Sequence, residues 1–446
     1  MAATTRYGWA TRLRAVFGVT LEEVEEAHLD ALVTERVRES EDLDFKRKPY
    51  ANTDSGRREL AADIAAMAND RGGILIIGIR EEAEIAVERT PTPIVATEEQ
   101  RIRSIGTDTI RPYAAFYIRV IESKLTPGSV YYLVIVPPST DRPHAVRKDI
   151  DLRYPRRNGG QTRWLSEAEV ADAYRDRFAR VVEDASKAER IVNDGVARIE
   201  REGNQVVLGL AVVPSTGAHM VIDSAAVAAV RDWLKQAGFM RNGVFGGPWV
   251  GVPASFGVGV RRVLLGTDGG RGFSSKYAYA ELHADGCAFV GHQLFYADPQ
   301  MQPSPATPSP CVSAEALSRA LVVNLRFAAR LSVERAGGFG DALVIAMLLV
   351  QGPLHLIGRG DYGLPQELGS VNADALYSRH SLPLDSLQTF SSDLLVAARL
   401  VANDLFQAFG VAETPAISPE GAIRAQAFRA TSDVTEWAAS HGIAVE

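Results

Sequence analysis

Four carboxylates crowd into the six residues before Phe45, and three cations follow it at once: ESEDLDFKRK, Glu39 to Lys48. Acids beside bases are either a solvated surface or a site that grips a metal and a phosphate. Glu39 and Asp44 are five residues apart, and on a regular strand an odd separation turns side chains to opposite faces. The chain must bend for the two to converge, with Glu39 on a loop and Asp44 at the mouth of a strand. A third acid arrives in ILIIGIREE, where Glu81 or Glu82 follows an apolar strand. Three converging carboxylates repel one another unless a cation sits among them, and an all-oxygen set favours Mg or Mn. Lys46, two residues after Asp44, shares its face. Glu39, Asp44 and one of Glu81 and Glu82 as metal ligands, with Lys46 to offset developing charge, are what metal-assisted phosphodiester cleavage requires.

A second constellation is basic. Arg142, Arg147, Lys148, Arg153, Arg156, Arg157 and Arg163 are interleaved with His144, Tyr154 and Trp164. Cations spaced among aromatics suit a surface that follows phosphates and stacks bases. The same pattern also describes a charged edge strand with Trp164 in the core.

The bulk numbers narrow the class. At 446 residues, two or three domains are expected. A net charge of -7 excludes a uniformly basic coat but not a local basic patch. Cys287 and Cys311, the only cysteines, cannot make a cysteine-rich zinc cluster or a disulfide scaffold, which makes the cytoplasm the default location. The longest apolar run, Ala342 to Val350, is about half the ~20 residues of a membrane span and reads as a buried strand or core helix. His283, Cys287 and His292 lack the paired spacing of zinc ligands, and TDGGRG and FGVGV lack the dinucleotide or P-loop pattern.

The elements that must position these groups follow from periodicity. Leu21, Val24, His28 and Leu32 predict an amphipathic helix. DLDFKRK alternates as a half-buried strand, with Leu43 and Phe45 on one face and Asp44 and Lys46 on the other. Asp54 can cap a helix whose stripe is Leu60, Ile64, Met67 and Ala68. Gly72 and Gly73 turn the chain into a central strand, Ile74 to Ile79, apolar on both faces. A helix over 97–110, strands over 114–123 and 130–138 and a basic strand and loop follow. The next helix opens on a capping box of Ser166 and Glu169. From about residue 200 glycine-rich short strands give way to a proline-rich stretch at about 298–311, then to helices around 313–333 and 392–409.

These motifs together carry a resemblance. ESEDLDFK, AMANDRGG, ILIIGI with acids after it, and YPRRNGGQTRWLSEAEV stand in one order over roughly residues 35–180. They resemble the Schlafen core, the AlbA-like or Schlafen-type nucleic-acid-binding domain, in its bacterial members. The resemblance implies an α/β domain, a mixed sheet with flanking helices, followed by a second mixed α/β region. The implied organisation is a leading helical segment at 1–34, the Schlafen-like domain at 35–185 and a C-terminal region at 186–446. It also implies a nucleic-acid partner, RNA rather than DNA, with no membrane, and a homodimer or the second region to supply another lobe. The nuclease members place an acidic triad that maps onto Glu39, Asp44 and, by position, Glu81, which implies a Mg- or Mn-dependent endoribonuclease acting on structured RNA such as tRNA, some relatives serving in defence against phage. Two departures stand out: Asp44 replaces the usual Glu, and Arg80 stands where an acid is expected. The alternative is a non-catalytic DNA-binding transcriptional regulator or sensor.

Overall fold

The structure is a computed structural model that describes residues 10–199, 206–217, 220–237, 239, 244–246, 254–267, 277–294, 310–360 and 364–446. Most of the proline-rich stretch at 298–311 and of the glycine-rich TDGGRG therefore lies outside the described residues. The chain divides into two compact units, the first ending at Val182 and the second beginning at Glu183.

In the first unit, helices α1 (Thr11–Phe17) and α2 (Glu26–Thr34) precede β1 (Leu43–Lys46), and α3 (Asp54–Ala68) returns the chain to β2 (Gly73–Ile77). A hairpin of β3 (Ile79–Glu82) and β4 (Ile85–Arg89) leads through β5 (Thr92–Pro93) to α4 (Glu98–Thr109). Then come β6 (Ile110–Arg111), β7 (Tyr117–Glu122) and β8 (Ser129–Val136), and two further hairpins, β9 (Ala145–Lys148) with β10 (Asp151–Arg153) and β11 (Pro155–Asn158) with β12 (Gln161–Trp164). Helix α5 (Glu167–Ala197) contains the boundary between the units.

The sheet is mixed. β1 lies parallel to β2, β2 antiparallel to β8, and β7 takes the other edge of β8. Every residue of β2 and β8 is buried, because helices cover both faces. Leu75, Ile77, Tyr132, Val134 and Val136 pack with Leu60, Ile64 and Met67 of α3 and Ile102 and Ile105 of α4. Ile74, Ile76, Tyr131, Leu133 and Ile135 pack with Leu13 and Phe17 of α1 and Leu29 and Leu32 of α2. A strand buried on both sides needs an unbroken apolar sequence, which is why ILII and VYYLVIV do not alternate.

The second unit is built on an eight-stranded sheet. Its strands are β13 (Val206–Thr216), β14 (Ala254–Gly259), β15 (Arg262–Thr267), β16 (Ala278–His283), β17 (Ala288–Leu294), β18 (Cys311–Ser313), β19 (Phe339–Arg359) and β20 (Pro365–Pro383). The spatial order is β14-β15-β16-β17-β13-β19-β18, with β20 paired to β19, and only β18 runs parallel to its neighbour. The helices are α6 (Ser224–Gln236), α7 (Ala314–Ala336), α8 (Ser392–Ala408) and α9 (Thr431–Ser440). Residues of α7 and α8 form the core on one face, and Ala188, Ile191, Val192 and Val196 of α5 pack on the other. The run Ala342 to Val350 is strand, inside β19. Among the described residues no helix is long and apolar enough to cross a membrane.

Several boundaries differ from expectation for local reasons. The cap of α3 is Thr53, whose side chain accepts from the Gly56 N–H, so Asp54 becomes the first helical residue. Helix α2 starts only at Glu26, and Leu21 and Val24 are buried in the turn ahead of it. Helix α5 runs without a break through 183–195. Ile74 to Ile79 is not one strand: Gly78, at φ +113°, breaks it, and Ile79 starts the β3–β4 hairpin.

Gly78 donates its N–H to the Lys46 carbonyl at 2.8 Å, and a Cβ there would lie 2.7 Å from the Tyr131 ring. Gly78→Ala thus meets both a left-handed backbone and a packed aromatic, and an added loss of about 1–3 kcal/mol in urea unfolding is expected. A wild-type urea midpoint for this variant would contradict that account.

Candidate nucleic-acid interface

β1 sets the site. Leu43 and Phe45 enter the α1–α2 side of the core, and pleating turns Asp44 and Lys46 to the α3 side. Asp44 is only 1% exposed, so β1 is buried on both faces rather than half-buried. Its carboxylate lies between two cations: Lys46 Nζ donates to Oδ2 at 2.5 Å and Arg157 Nη2 to Oδ1 at 3.2 Å. Asp63 of α3 joins them, 3.8 Å from Lys46 Nζ, accepting from the Tyr50 hydroxyl at 2.5 Å and the Thr162 hydroxyl at 3.3 Å. Burial and Asp44 raise the Asp63 carboxyl above its ordinary range. Burial works against the Lys46 ammonium, but Asp44 and Asp63 outweigh it, and its pKa is raised.

Arg157 and Thr162 are register partners in the β11–β12 hairpin, so they share a face, and that face meets Asp44 and Asp63. Arg157 also donates to the carbonyls of Gly160 at 3.1 Å and Ser40 at 3.4 Å. Asp63, Tyr50 and Thr162 were missed from sequence. The signal was present for Asp63: an acid inside the apolar stripe of α3 must have a buried partner.

Glu39 sits on the loop before β1. Its Oε1 accepts from the Phe45 N–H at 2.7 Å, and its own N–H donates to the Glu84 carbonyl at 2.7 Å. Burial first, then the charges of Asp44 and Glu81, push its carboxyl up to about 7, against the pull of the Phe45 N–H and Lys46. Glu81 accepts from the Glu84 N–H at 2.9 Å at the tip of the β3–β4 hairpin. Arg80 is turned to its own hairpin, paired with Glu82 and, at 2.7 Å, with Glu88. Of the two acids after the strand, Glu81 is the one whose charge Glu39 feels, and Glu82 is committed to Arg80.

The seven basic positions separate into classes. Arg157 is buried in the acidic pocket. Arg156 and Arg163 face each other across the β11–β12 hairpin, each neutralised, Arg156 by Asp70 at 3.1 Å and Arg163 by Glu169 at 2.7 Å. Arg142 is half-buried and donates to the Asp70 carbonyl at 3.2 Å. Arg147, Lys148 and Arg153 stand exposed on the β9–β10 hairpin with no ion pair. Register puts Lys148 and Arg153 on the face of Val146 and Arg147 on the other, beside Leu152. Trp164 is 46% exposed, not core, with the Arg153 guanidinium 6.0 Å from its ring centre. His144 is fully buried, its backbone locked to Asn69 in both directions at 2.7 and 2.8 Å, and Tyr154 packs edge-on to Tyr174.

Residues 39–166 match the family model described as Schlafen, AlbA_2. The N-terminal unit carries a Schlafen AlbA-like domain. A domain of this type implies a nucleic-acid partner. Two solved structures are also similar to part of the chain. The DIP2311 protein from Corynebacterium diphtheriae shares 18% identity over 34% of this chain and 28% of its own, at a TM-score of 0.23. The N-terminal domain of a protein described as ATP-dependent DNA helicase RecG-related, from Nitrosomonas europaea, shares 15% over 31% of this chain and 92% of its own, at 0.21. The chain thus spans little more than a quarter of the Corynebacterium protein. No curated protein matches.

The acids of the Schlafen AlbA-like domain do not fit a divalent ion as they stand. Both Asp44 oxygens are engaged by cations, one Glu39 oxygen is held by a backbone N–H, and Glu81 is held at its hairpin tip. Among the described residues no group of three His, Cys, Asp or Glu gathers into a ligand set. The charge that a metal would supply to Asp44 is supplied by Lys46 and Arg157. The set-aside His283, Cys287 and His292 likewise form no metal set; His283 pairs with Glu281 at 2.9 Å, and burial pushes His292 down to about 4.

Two consequences are measurable. Arg157→Ala leaves Asp44 buried with Lys46 alone, and a stability loss of roughly 3–5 kcal/mol is expected by urea unfolding, the usual cost of breaking a buried pair; a loss no larger than a neutral surface substitution gives would show that the pair is not holding the hairpin. Glu39 has its folded-state pKa raised, so its contribution to stability is complete below its ordinary 4.5 and is lost as pH rises through about 7. Glu39→Gln keeps an acceptor for Phe45 without the charge, and its Tm advantage over wild type should grow from about pH 5 to about pH 8. An advantage independent of pH would mean that Glu39 ionises normally.

Proposed function

We propose that the N-terminal domain binds nucleic acid, single-stranded RNA in particular, along the β9–β10 hairpin and Trp164, and that its acidic pocket braces the binding surface rather than cutting the strand. The observation that carries this reading is the juxtaposition of unpaired Arg147, Lys148 and Arg153 with an exposed indole. Unpaired cations release counterions when they meet phosphates, and an exposed Trp offers a base a stacking face. Unpaired bases, more accessible in RNA loops than in a duplex, are what such a face takes.

The bracing role rests on Asp44. A carboxylate held by two cations cannot also serve a metal without breaking them, and Arg157 is the link from Asp44 to the β11–β12 hairpin, which carries Trp164. The endoribonuclease reading would require Glu39, Asp44 and Glu81 to rearrange around Mg or Mn.

Wild type, Arg147→Ala/Lys148→Ala/Arg153→Ala and Glu39→Ala/Asp44→Ala are to be compared on tRNA, rRNA and single-stranded DNA, with and without manganese. Salt-dependent binding without cleavage is expected, and loss of the three cations should lower the slope of log affinity against log salt by about 2. Manganese-dependent cutting abolished in the Glu39→Ala/Asp44→Ala variant would overturn the bracing role and establish a nuclease. Preference for duplex DNA without cutting would favour a regulator.

A further inference from the structure

Helix α3 begins with a placement that costs stability. Arg57 and Arg58 stand in its first turns, where the helix dipole is positive and carboxylates are favoured over cations. Neither arginine has an ion pair or side-chain hydrogen bond to offset this. Their surroundings explain what could. Thr109 ends α4 and runs directly into β6, which pairs with β9 through Ile110 and Val146, so the end of α4 lies beside the tip of the β9–β10 hairpin. Between these elements is an open cleft of about 290 Å³, lined by Asp54, Arg57, Arg58, Asp108, Thr109, Arg147, Lys148 and Asp149. Four of the eight lining residues are cations and three are acids, and among the described residues none of the four cations is in an ion pair.

We infer that this cleft is a phosphate-binding site, in which Arg57 and Arg58 of α3 and Arg147 and Lys148 of the hairpin hold successive phosphate groups of a bound strand. The inference rests on the nucleic-acid reading above and extends it to two residues that belong to neither the acidic pocket nor the basic stretch. Three features favour a phosphate over another ligand. The lining is almost wholly charged, so an apolar molecule gains little there. Arginine forks match phosphate oxygens, and two of them come from adjacent residues. The N-terminal end of a helix adds its own partial positive charge to the same cleft. Arg147 and Lys148 lie on opposite faces of the hairpin ribbon by register, so a strand gripped at its tip is reached from both sides.

The test is an anisotropy titration of a labelled single-stranded oligoribonucleotide with the full chain, wild type and Arg57→Gln/Arg58→Gln, at several KCl concentrations. Relieving the unfavourable dipole interaction leaves the variant as stable as wild type or more so, which a thermal melt checks. About tenfold weaker binding is expected, with a salt slope shallower by about 1.4, the equivalent of two single-strand phosphate contacts. Inorganic tripolyphosphate should displace the oligonucleotide from wild type and compete less well in the variant. Unchanged affinity and slope in the variant, with wild type binding well, would overturn the cleft while leaving the nucleic-acid reading intact. Failure of wild type to bind any strand would remove both. Tripolyphosphate binding that the variant loses, with oligonucleotide binding unaltered, would make the cleft a small-anion site and overturn the assignment to a strand.

Discussion

Asp44 is a carboxyl group buried between two cations in the middle of a hydrophobic domain, and the surrounding architecture follows from keeping it paired. An isolated buried carboxylate is too costly to persist, so its two oxygens require partners from different parts of the chain. Lys46 comes from the same strand and costs little chain entropy. Arg157 comes from more than a hundred residues away and brings the β11–β12 hairpin with it. Because Arg157 and Thr162 share one face of that hairpin, the ion pair and the hydrogen bond to Asp63 fix its orientation together. The opposite face, with Arg156 and Arg163, is thereby turned outward. Trp164 shares the inner parity but lies at the open end of the ribbon, where it is half uncovered.

The same arrangement bears on chemistry. Carboxylates that converge can be reconciled by a metal, by protonation or by internal cations. Here Asp44 is offset by the internal cations Lys46 and Arg157, while burial and the charges of Asp44 and Glu81 push the Glu39 carboxyl up to about 7. Asp44 has lysine and arginine on its two oxygens, whereas Glu39 has a single backbone donor. Arg80, which stands where an acid is expected, is paired within its own hairpin with Glu82 and Glu88.

The basic stretch shows how poorly charge count predicts function. Of seven cations in sequence, four are used inside the fold or at its rim, by Asp44, Asp70, Glu169 and a backbone carbonyl. The three that stay unpaired cluster on one hairpin. Neutralised arginines have already exchanged their water for a carboxylate and gain little from a phosphate, whereas unpaired ones release counterions when they meet it.

Sequence by itself determined the layered α/β character of the first unit. Runs such as ILII and VYYLVIV can be stable only with helices on both faces, and the apolar stripes of α3 and α4 supply one of those layers, because hydrophobic period is a local property that burial must obey. It also determined the capping box at Ser166 and the Schlafen-like order of motifs. Tertiary structure alone decided which charges meet. Asp63 with Lys46 and Arg157 with Asp44 join residues far apart in the chain, as does the cleft that Arg57 and Arg147 both line, and nothing in local spacing encodes their distance. It likewise decided that ILIIGI breaks at Gly78, since the φ that glycine permits is required only where the Tyr131 ring leaves no room for a Cβ. Side-chain period is read along the chain, but ion pairing depends on where the chain returns, and that is set by the packing of the whole unit.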